Sequence, residues 1–274
     1  MVNDAANGTH GYAEADGARL YYEIQGAGPD LVMVHAGIAD RRMWDAQAPV
    51  FAARHRVIRY DARGFGESVQ PPGAFSRSGD LHGILRHLGV ERATLMAASM
   101  GGATALDFAL EHPAMVAGMV LVAPSIGGRT PPDIVKRFWE EEDAAIARGD
   151  LDAATELNLR LWVDGPSRTP DQVDPEVRAR VGAMQRRAFA VAHMEAEKCP
   201  LTPPAVTRLG AIHAPLLVLV GNLDLPDMLV AADELVAAIP SARKQIIAGG
   251  AHMVNMEQPA AFNAAALAFL ERLS

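Results

Sequence analysis

Residues 92–110, RATLMAASMGGATALDFAL, decide how this chain folds. As far as Met96 the residues are those of a buried strand, and from Gly101 to Leu110 the apolar positions recur at helical spacing. Ser99 stands at the joint, on a strand-to-helix turn so sharp that only small neighbours fit; Ala97, Ala98, Gly101 and Gly102 supply them. A serine in that place either caps the helix or is presented as a nucleophile on an elbow.

The same rhythm runs outward in both directions. Arg19 to Ile24 alternates as a strand, while Asp30 to His35 and Val57 to Tyr60 are apolar runs of the kind buried on both faces of a sheet. Helical patterns cover Asp40 to Ala53 and Ser78 to Leu88, and Met115 to Val122 returns to strand. Repeated units of this kind imply an α/β fold with a mostly parallel central sheet and helices on both faces. Between Gly127 and Gly210 the rhythm breaks, and charged helical patterns such as IVKRFWEEEDAAIARG replace buried strands. It resumes with a strand over Pro215 to Gly221, a helix over Met228 to Ala238, a strand near Gln245 to Ile247 and a helix over Pro259 to Leu273. The expected organisation is a core built from residues 1–126 and 211–274, with residues 127–210 inserted as a helical cap.

Composition narrows the partners. At 274 residues, half of them apolar and 21% charged, the chain can bury a large core. A formal net charge of −8 argues against nucleic acid or an anionic membrane as the main partner. One cysteine, Cys199, allows neither an internal disulfide nor a cysteine-based zinc site. No HExxH, paired His/Cys cluster or GxxxxGK[ST] occurs, so no metal or other cofactor is expected. The first 22 residues lack a basic and then apolar leader pattern, and no 18-residue apolar run follows. The expectation is a soluble cytoplasmic protein acting on a small molecule; the pattern carries no signal for oligomeric state.

Three positions lie just past the carboxyl ends of strands, where ligands gather in open parallel sheets. They are Ser99, Asp224 in GNLDLPD and His252 in GGAHMVNMEQP. A serine hydroxyl is a weak nucleophile at neutral pH and needs an imidazole to take its proton. The imidazole in turn needs a carboxylate to hold its other nitrogen and to stabilise the imidazolium. The chain order Ser, Asp, His is that of the α/β-hydrolase triad.

With those residues on the page the whole chain resembles an α/β-hydrolase-fold protein of the serine esterase and lactonase type with a helical cap. VHAGIADRRMW, YDARGFGES, AASMGG, VGNLD and GAHMVNMEQP carry the resemblance, spread from about residue 12 to the C-terminus. The cap matches only in placement and helical character. Ala97 stands where the family usually has glycine, and His35-Ala36-Gly37 replaces its usual His-Gly, which Ala36 tolerates only with a negative φ. The resemblance implies catalysis by Ser99, Asp224 and His252, and an oxyanion hole from the backbone N–H groups of Met100 and Gly37. Asp227 is the competing acid and reads as a helix cap or surface charge. Asp61 and Arg63 read as a structural turn with the arginine bridging loops, and His35 as structural. Trp162 and Met253 are the chosen substrate contacts, with Phe189, Met194 and His193 as further candidates for the pocket.

The implied activity is cofactor-free hydrolysis of a small, mostly apolar carboxylic ester or lactone through an acyl-enzyme, with the cap selecting substrates. The same triad serves C–C bond hydrolases, thioesterases and cofactor-free peroxidases or perhydrolases. A slow-turnover ligand-binding signalling protein is the alternative outside enzymology. Serine at position 99 argues against epoxide hydrolases and haloalkane dehalogenases, which need an aspartate there.

Overall fold

A strand that is apolar at every position must be covered on both faces, and the strands at the centre of this chain are. In the computed structural model, which describes residues 2–4, 8–69, 71–191 and 196–273, the main sheet has nine strands. These are β1 (Val2–Asp4), β2 (Gly8–Ala15), β3 (Ala18–Gln25), β4 (Asp30–Val34), β5 (Arg56–Tyr60), β7 (Ala93–Ala98), β8 (Val116–Val122), β10 (Leu216–Gly221) and β11 (Ala242–Ile247). Two short strands, β6 (Gly73–Phe75) and β9 (Ala196–Lys198), pair with each other in a separate ribbon. The order across the main sheet is β1-β2-β3-β5-β4-β7-β8-β10-β11, antiparallel from β1 to β5 and parallel from there on.

Side chains alternate across the strands and feed two apolar layers. Val32, Val34, Leu95, Ala97, Val218 and Val220 point to the side packed by α2 (Arg77–His87), α3 (Met100–Glu111) and α7 (Pro226–Ala238). Leu31, Met33, Met96, Ala98, Leu217 and Leu219 point to the side packed by α1 (Ala48–Ala52) and α9 (Pro259–Leu270). Each such Val, Leu or Met side chain contributes about 1.5–3 kcal/mol by leaving water. A four-residue α8 (Val254–Glu257) precedes α9. The inserted stretch holds α4 (Asp133–Ala147), α5 (Leu151–Asn158) and α6 (Pro175–Ala190), with a π-helical turn over Leu159–Asp164. No helix among the described residues is long and apolar enough to cross a membrane.

The sheet order places the site. From β4 the chain goes to β5 on one side and reaches β7 on the other, so the loops after β4 and β7 diverge and leave a crevice between them. Gly37 lies in one loop and Ser99 in the other.

Four local readings change. The pattern over Asp40 to Ala53 is two elements, a 3₁₀ turn over Arg41–Trp44 and then α1. The Asp40 carboxylate caps the first by accepting from Arg42 N at 2.9 Å, and Pro49 near the start of α1 has no N–H to continue an earlier helix. β2 is a strand that lies before the first expected one, at Arg19 to Ile24; it folds back on β3 through Asp16 and Gly17, both at positive φ. The inserted stretch does contain a strand, β9, although its partner β6 lies outside the main sheet. The last helix ends at Leu270, with a turn rather than helix beyond it.

Close approach at the elbow supplies a test. A Cβ on Gly101 would lie 2.6 Å from the Val34 carbonyl oxygen, and backbone cannot move aside as a side-chain tip can. Gly101→Ala should cost about 1–3 kcal/mol in chemical denaturation. Gly210→Ala, whose added Cβ would meet its nearest neighbour at an ordinary 3.6 Å, should stay within about 0.5 kcal/mol of the parent. Equal effects at the two positions would show that the elbow is not sterically closed.

Candidate active site

Ser99 sits between β7 and α3 with φ 49° and ψ −111°, a conformation that residues with a Cβ rarely hold. Three backbone bonds hold it. Its N–H donates to Val122 O at 2.9 Å, and its carbonyl accepts from Ser125 N at 3.0 Å and Ala103 N at 3.2 Å. Its side chain makes no capping bond to the helix, so the reading of this serine as a helix cap does not hold. Ala97 fits the turn fully buried, with its methyl in the core.

Met100 opens α3, and an N–H in the first turn of a helix has no carbonyl four residues back to bind. Gly37 faces it: a Cβ on Gly37 would come 3.5 Å from Met100 Cβ and 3.6 Å from its sulfur. The loop carrying Gly37 is set by His35, which is fully buried. Its Nδ1–H donates to Ala36 O at 2.8 Å and its Nε2 accepts from Ala62 N at 2.9 Å. Burial lowers its pKa and so favours the neutral ring that this two-way bonding requires. Among described non-glycine residues only Asp16, Ser99 and Ala123 have positive φ, so Ala36 meets the condition set for it.

His252 and Asp224 are both buried, and His252 Nδ1–H donates to Asp224 Oδ2 at 2.9 Å. The other carboxylate oxygen, Oδ1, accepts from Leu225 N at 2.7 Å. The two loops are stitched together beneath this pair. Asn222 Oδ1 accepts from Gly249 N at 2.7 Å, Leu223 N donates to Gly250 O at 3.0 Å, and Glu257 Oε1 accepts from Ala251 N at 2.8 Å. Asp227 is elsewhere engaged: its Oδ2 accepts from the Arg129 guanidinium at 2.5 Å. It does not cap α7 either, since the cap position belongs to Leu225.

Ser99 and His252 open onto one cavity of about 580 Å³. Among the described residues the Ser99 hydroxyl has no hydrogen-bond partner. Gly37 and Met100 line the same cavity, which is walled by Phe65, Phe138, Trp139, Trp162 and Phe189. The Trp162 ring, carried on the π-helical turn, lies 4.6 Å from the His252 ring. Met253 does not reach the cavity; it is buried in the core beside α9, a correction to its reading as a substrate contact. His193 and Met194 lie outside the described residues. Asp61 accepts from Arg41 N and its guanidinium at 2.9 and 2.7 Å and from Glu67 N at 2.8 Å. Arg63 grips Asp80 and the carbonyls of Ala15 and Asp16, so both residues serve loop structure. Among the described residues no group of three or more His, Cys, Asp or Glu converges as a metal site would.

Sequence reasoning did not single out Arg77, Glu142, Asn158 and Gln185, all on the cavity wall. They come from helices on both sides of the crevice, and no local pattern marks them.

Known proteins of similar sequence and structure extend this picture. The family model for the alpha/beta hydrolase fold matches residues 29–259. A 2-hydroxy-6-oxononadienedioate/2-hydroxy-6-oxononatrienedioate hydrolase of Comamonas testosteroni is 28% identical over 268 residues, covering 92% of this chain and 91% of its own. A 2-hydroxy-6-oxo-6-phenylhexa-2,4-dienoate hydrolase of Burkholderia cepacia is also 28% identical, with the same coverage of 92% and 91%. Among solved structures, a hydrolase from Pseudomonas aeruginosa has a TM-score of 0.79 at 29% identity over 97% of this chain and 99% of that one. Est816, described as an N-acyl homoserine lactone degrading enzyme, has a TM-score of 0.74 at 27% identity over 94% and 100%.

Two experiments test the roles. A fluorophosphonate probe should label the protein on Ser99, located by peptide mass spectrometry; undiminished labelling of Ser99→Ala would remove this serine from the chemistry. Asp224→Asn should lower kcat by about 10³- to 10⁴-fold, because an amide holds the wrong imidazole tautomer and cannot stabilise the imidazolium. Asp227→Asn should cost far less, since Asp227 is bonded to Arg129 and not to His252. The reverse ranking, with both variants folded by circular dichroism, would assign the acid to Asp227.

Proposed function

The chain belongs to the α/β-hydrolase family, and from that premise we propose that it hydrolyses the carbon–carbon bond beside the ketone of a small unsaturated keto acid, through an acyl-enzyme on Ser99. The observation that carries this reading is the near full-length similarity to hydrolases of oxo-dienoates, at 92% of this chain and 91% of theirs. A 2-hydroxy-6-oxo-6-phenylhexa-2,4-dienoate contains no ester, thioester or amide. Water can divide its skeleton only at a carbon–carbon bond. An aromatic-walled cavity around a serine and histidine suits such a substrate.

Carbon is a poor leaving group unless its electron pair is delocalised. The enol acid must therefore first ketonise, moving the hydroxyl proton to the carbon beside the distal ketone. Ser99 Oγ then adds to that ketone as His252 takes its proton, and the oxyanion is held by the N–H groups of Met100 and Gly37. One such donor is worth about 2.7–4 kcal/mol to the transition state. Collapse breaks the carbon–carbon bond, the pair passes into the conjugated keto acid as a dienolate, and the His252 imidazolium returns the proton. Water, deprotonated by His252, releases the acyl group as a carboxylic acid. Asp224 holds the imidazole in one tautomer throughout and stabilises it when charged.

A second reading, hydrolysis of a carboxylic ester or lactone, is supported by the likeness to Est816. It uses the same steps with an alkoxide leaving group and needs no ketonisation.

Loss of dienolate absorbance from 2-hydroxy-6-oxo-6-phenylhexa-2,4-dienoate separates the two when set beside p-nitrophenyl butyrate and an N-acyl homoserine lactone. The expected outcome is a kcat/KM for the dienoate at least about 10-fold above both others. The opposite order would establish the ester or lactone reading.

A further inference from the structure

Most charged groups on the cavity wall already have partners. The Arg129 guanidinium donates to Asp227 at 2.5 Å and to Glu234 at 2.8 Å. Glu142 accepts from the Asn158 amide. His252 is bonded to Asp224. Arg77 is the exception: it lines the cavity that holds Ser99, yet no described residue gives its guanidinium an ion pair or a hydrogen bond. Asp80 and Tyr60 act on it only through space, and both oxygens of Asp80 are already held by Arg63 at 2.7–3.0 Å.

Three features of the surroundings work against a cation in this place. Arg77 is the first residue of α2, where the helix dipole is positive. Arg77 is half-buried, and burial lowers its pKa although Tyr60 and Asp80 partly oppose the shift through space; no counter-charge is bonded to it among the described residues. Lys198 lies close enough for the two cations to repel, and its own pKa is lowered by burial and then by Arg77. A second cavity of about 500 Å³ shares Arg77, Met100 and Ser125 with the first, so Arg77 stands where the two meet, beside the start of α3. Asp107, on the wall of the second cavity, makes no ion pair with Arg77 either; its Oδ1 has no partner and burial pushes its carboxyl up to about 6.

One bound anion would offset all three costs together. We infer that Arg77 binds a carboxylate of the substrate at the junction of the two cavities, and that this site selects anionic acyl compounds over neutral ones of the same shape. The inference rests on the reading of the site as an acyl hydrolase and names the end of the substrate that the triad does not touch. A planar guanidinium takes a carboxylate through two parallel N–H···O bonds, stronger and more directional than any contact an amide could make there.

The test needs no turnover. In the Ser99→Ala protein, 4-phenylbutyrate should bind about 30- to 100-fold more tightly than 4-phenylbutyramide by calorimetry, the range expected of charge-assisted hydrogen bonds. Adding Arg77→Gln should erase that preference, and Arg77→Lys should restore part of it. In the catalytically intact chain the same Arg77→Gln change should reduce the ratio of kcat/KM for p-nitrophenyl hemiglutarate to that for p-nitrophenyl butyrate by a similar factor. Acid and amide binding equally well in the Ser99→Ala protein, a result that requires no further variant, would overturn the inference. So would a preference that survives Arg77→Gln, which would make Arg77 a solvated wall residue. A carboxylate preference that depends on Arg77 in a protein that cleaves no dienoate would leave this inference standing and refute the proposed reaction alone.

Discussion

The backbone of Ser99 is held at φ 49° by contacts from the two neighbouring strands β8 and β4, and the geometry of the site follows from that restraint. Val122 at the end of β8 accepts its N–H, while Ser125 just beyond donates to its carbonyl. From the other side the α-carbon of Gly101 is so close to β4 that an added methyl would lie 2.6 Å from Val34 O and 2.8 Å from His35 O. Gly102 is equally confined, with its missing Cβ 2.5 Å from Pro124. Strain of this kind costs on the order of 1–3 kcal/mol and persists only where the surroundings over-determine it. What it achieves is a hydroxyl that cannot fold back onto its own helix, next to a helix start whose N–H groups are free.

His35 transmits the same constraint to the facing loop. A neutral ring donates to Ala36 O and accepts from Ala62 N, joining the loops after β4 and β5. A protonated ring would present two donors and lose the second bond. Its burial therefore has a structural use: it keeps the imidazole in the form that bridges the loops. Phe65, 5.0 Å away and edge-on, packs against it and continues into the cavity wall.

The inserted segment is tied to this framework by an apolar cluster that includes Leu159, Val163 and Val181, and by arginines. Arg168 pairs with Glu257 at 2.7 Å with both side chains nearly covered, and Glu257 also holds the backbone just before His252. Arg180 reaches Asp45 at 2.8 Å, and Arg187 reaches Gly66 O at 2.8 Å and Glu67 at 2.7 Å. Exposed pairs of this kind are worth little singly, about 0–1 kcal/mol. The covered Arg168–Glu257 pair differs because removing one partner strands a buried charge. It couples the roof of the cavity to the histidine loop, so the ring of Trp162 and the ring of His252 are positioned by one connected set of bonds.

Local steric and solvation rules leave their mark in short windows, which is why the sequence alone determined so much here. The apolar runs at Asp30 to His35 and Pro215 to Gly221 could only be strands covered on both faces, and the small residues around Ser99 could only serve a tight turn. Asp16-Gly17 was an equally local signal for the β2–β3 hairpin, since both residues take positive φ, and Pro49 for the break after Trp44. Other features had no local signal. That His252 bonds Asp224 while Asp227 bonds Arg129, 98 residues earlier in the chain, depends on which loops the strand order brings together. That β6 pairs with β9, that Met253 turns into the core while Trp162 faces the imidazole, and that Arg77 meets the cavity without a partner among the described residues depend on the same assembly. Contacts between distant segments were decided only by the tertiary structure, because a side chain's partner is set by the packing of whole strands and helices and not by its neighbours in sequence.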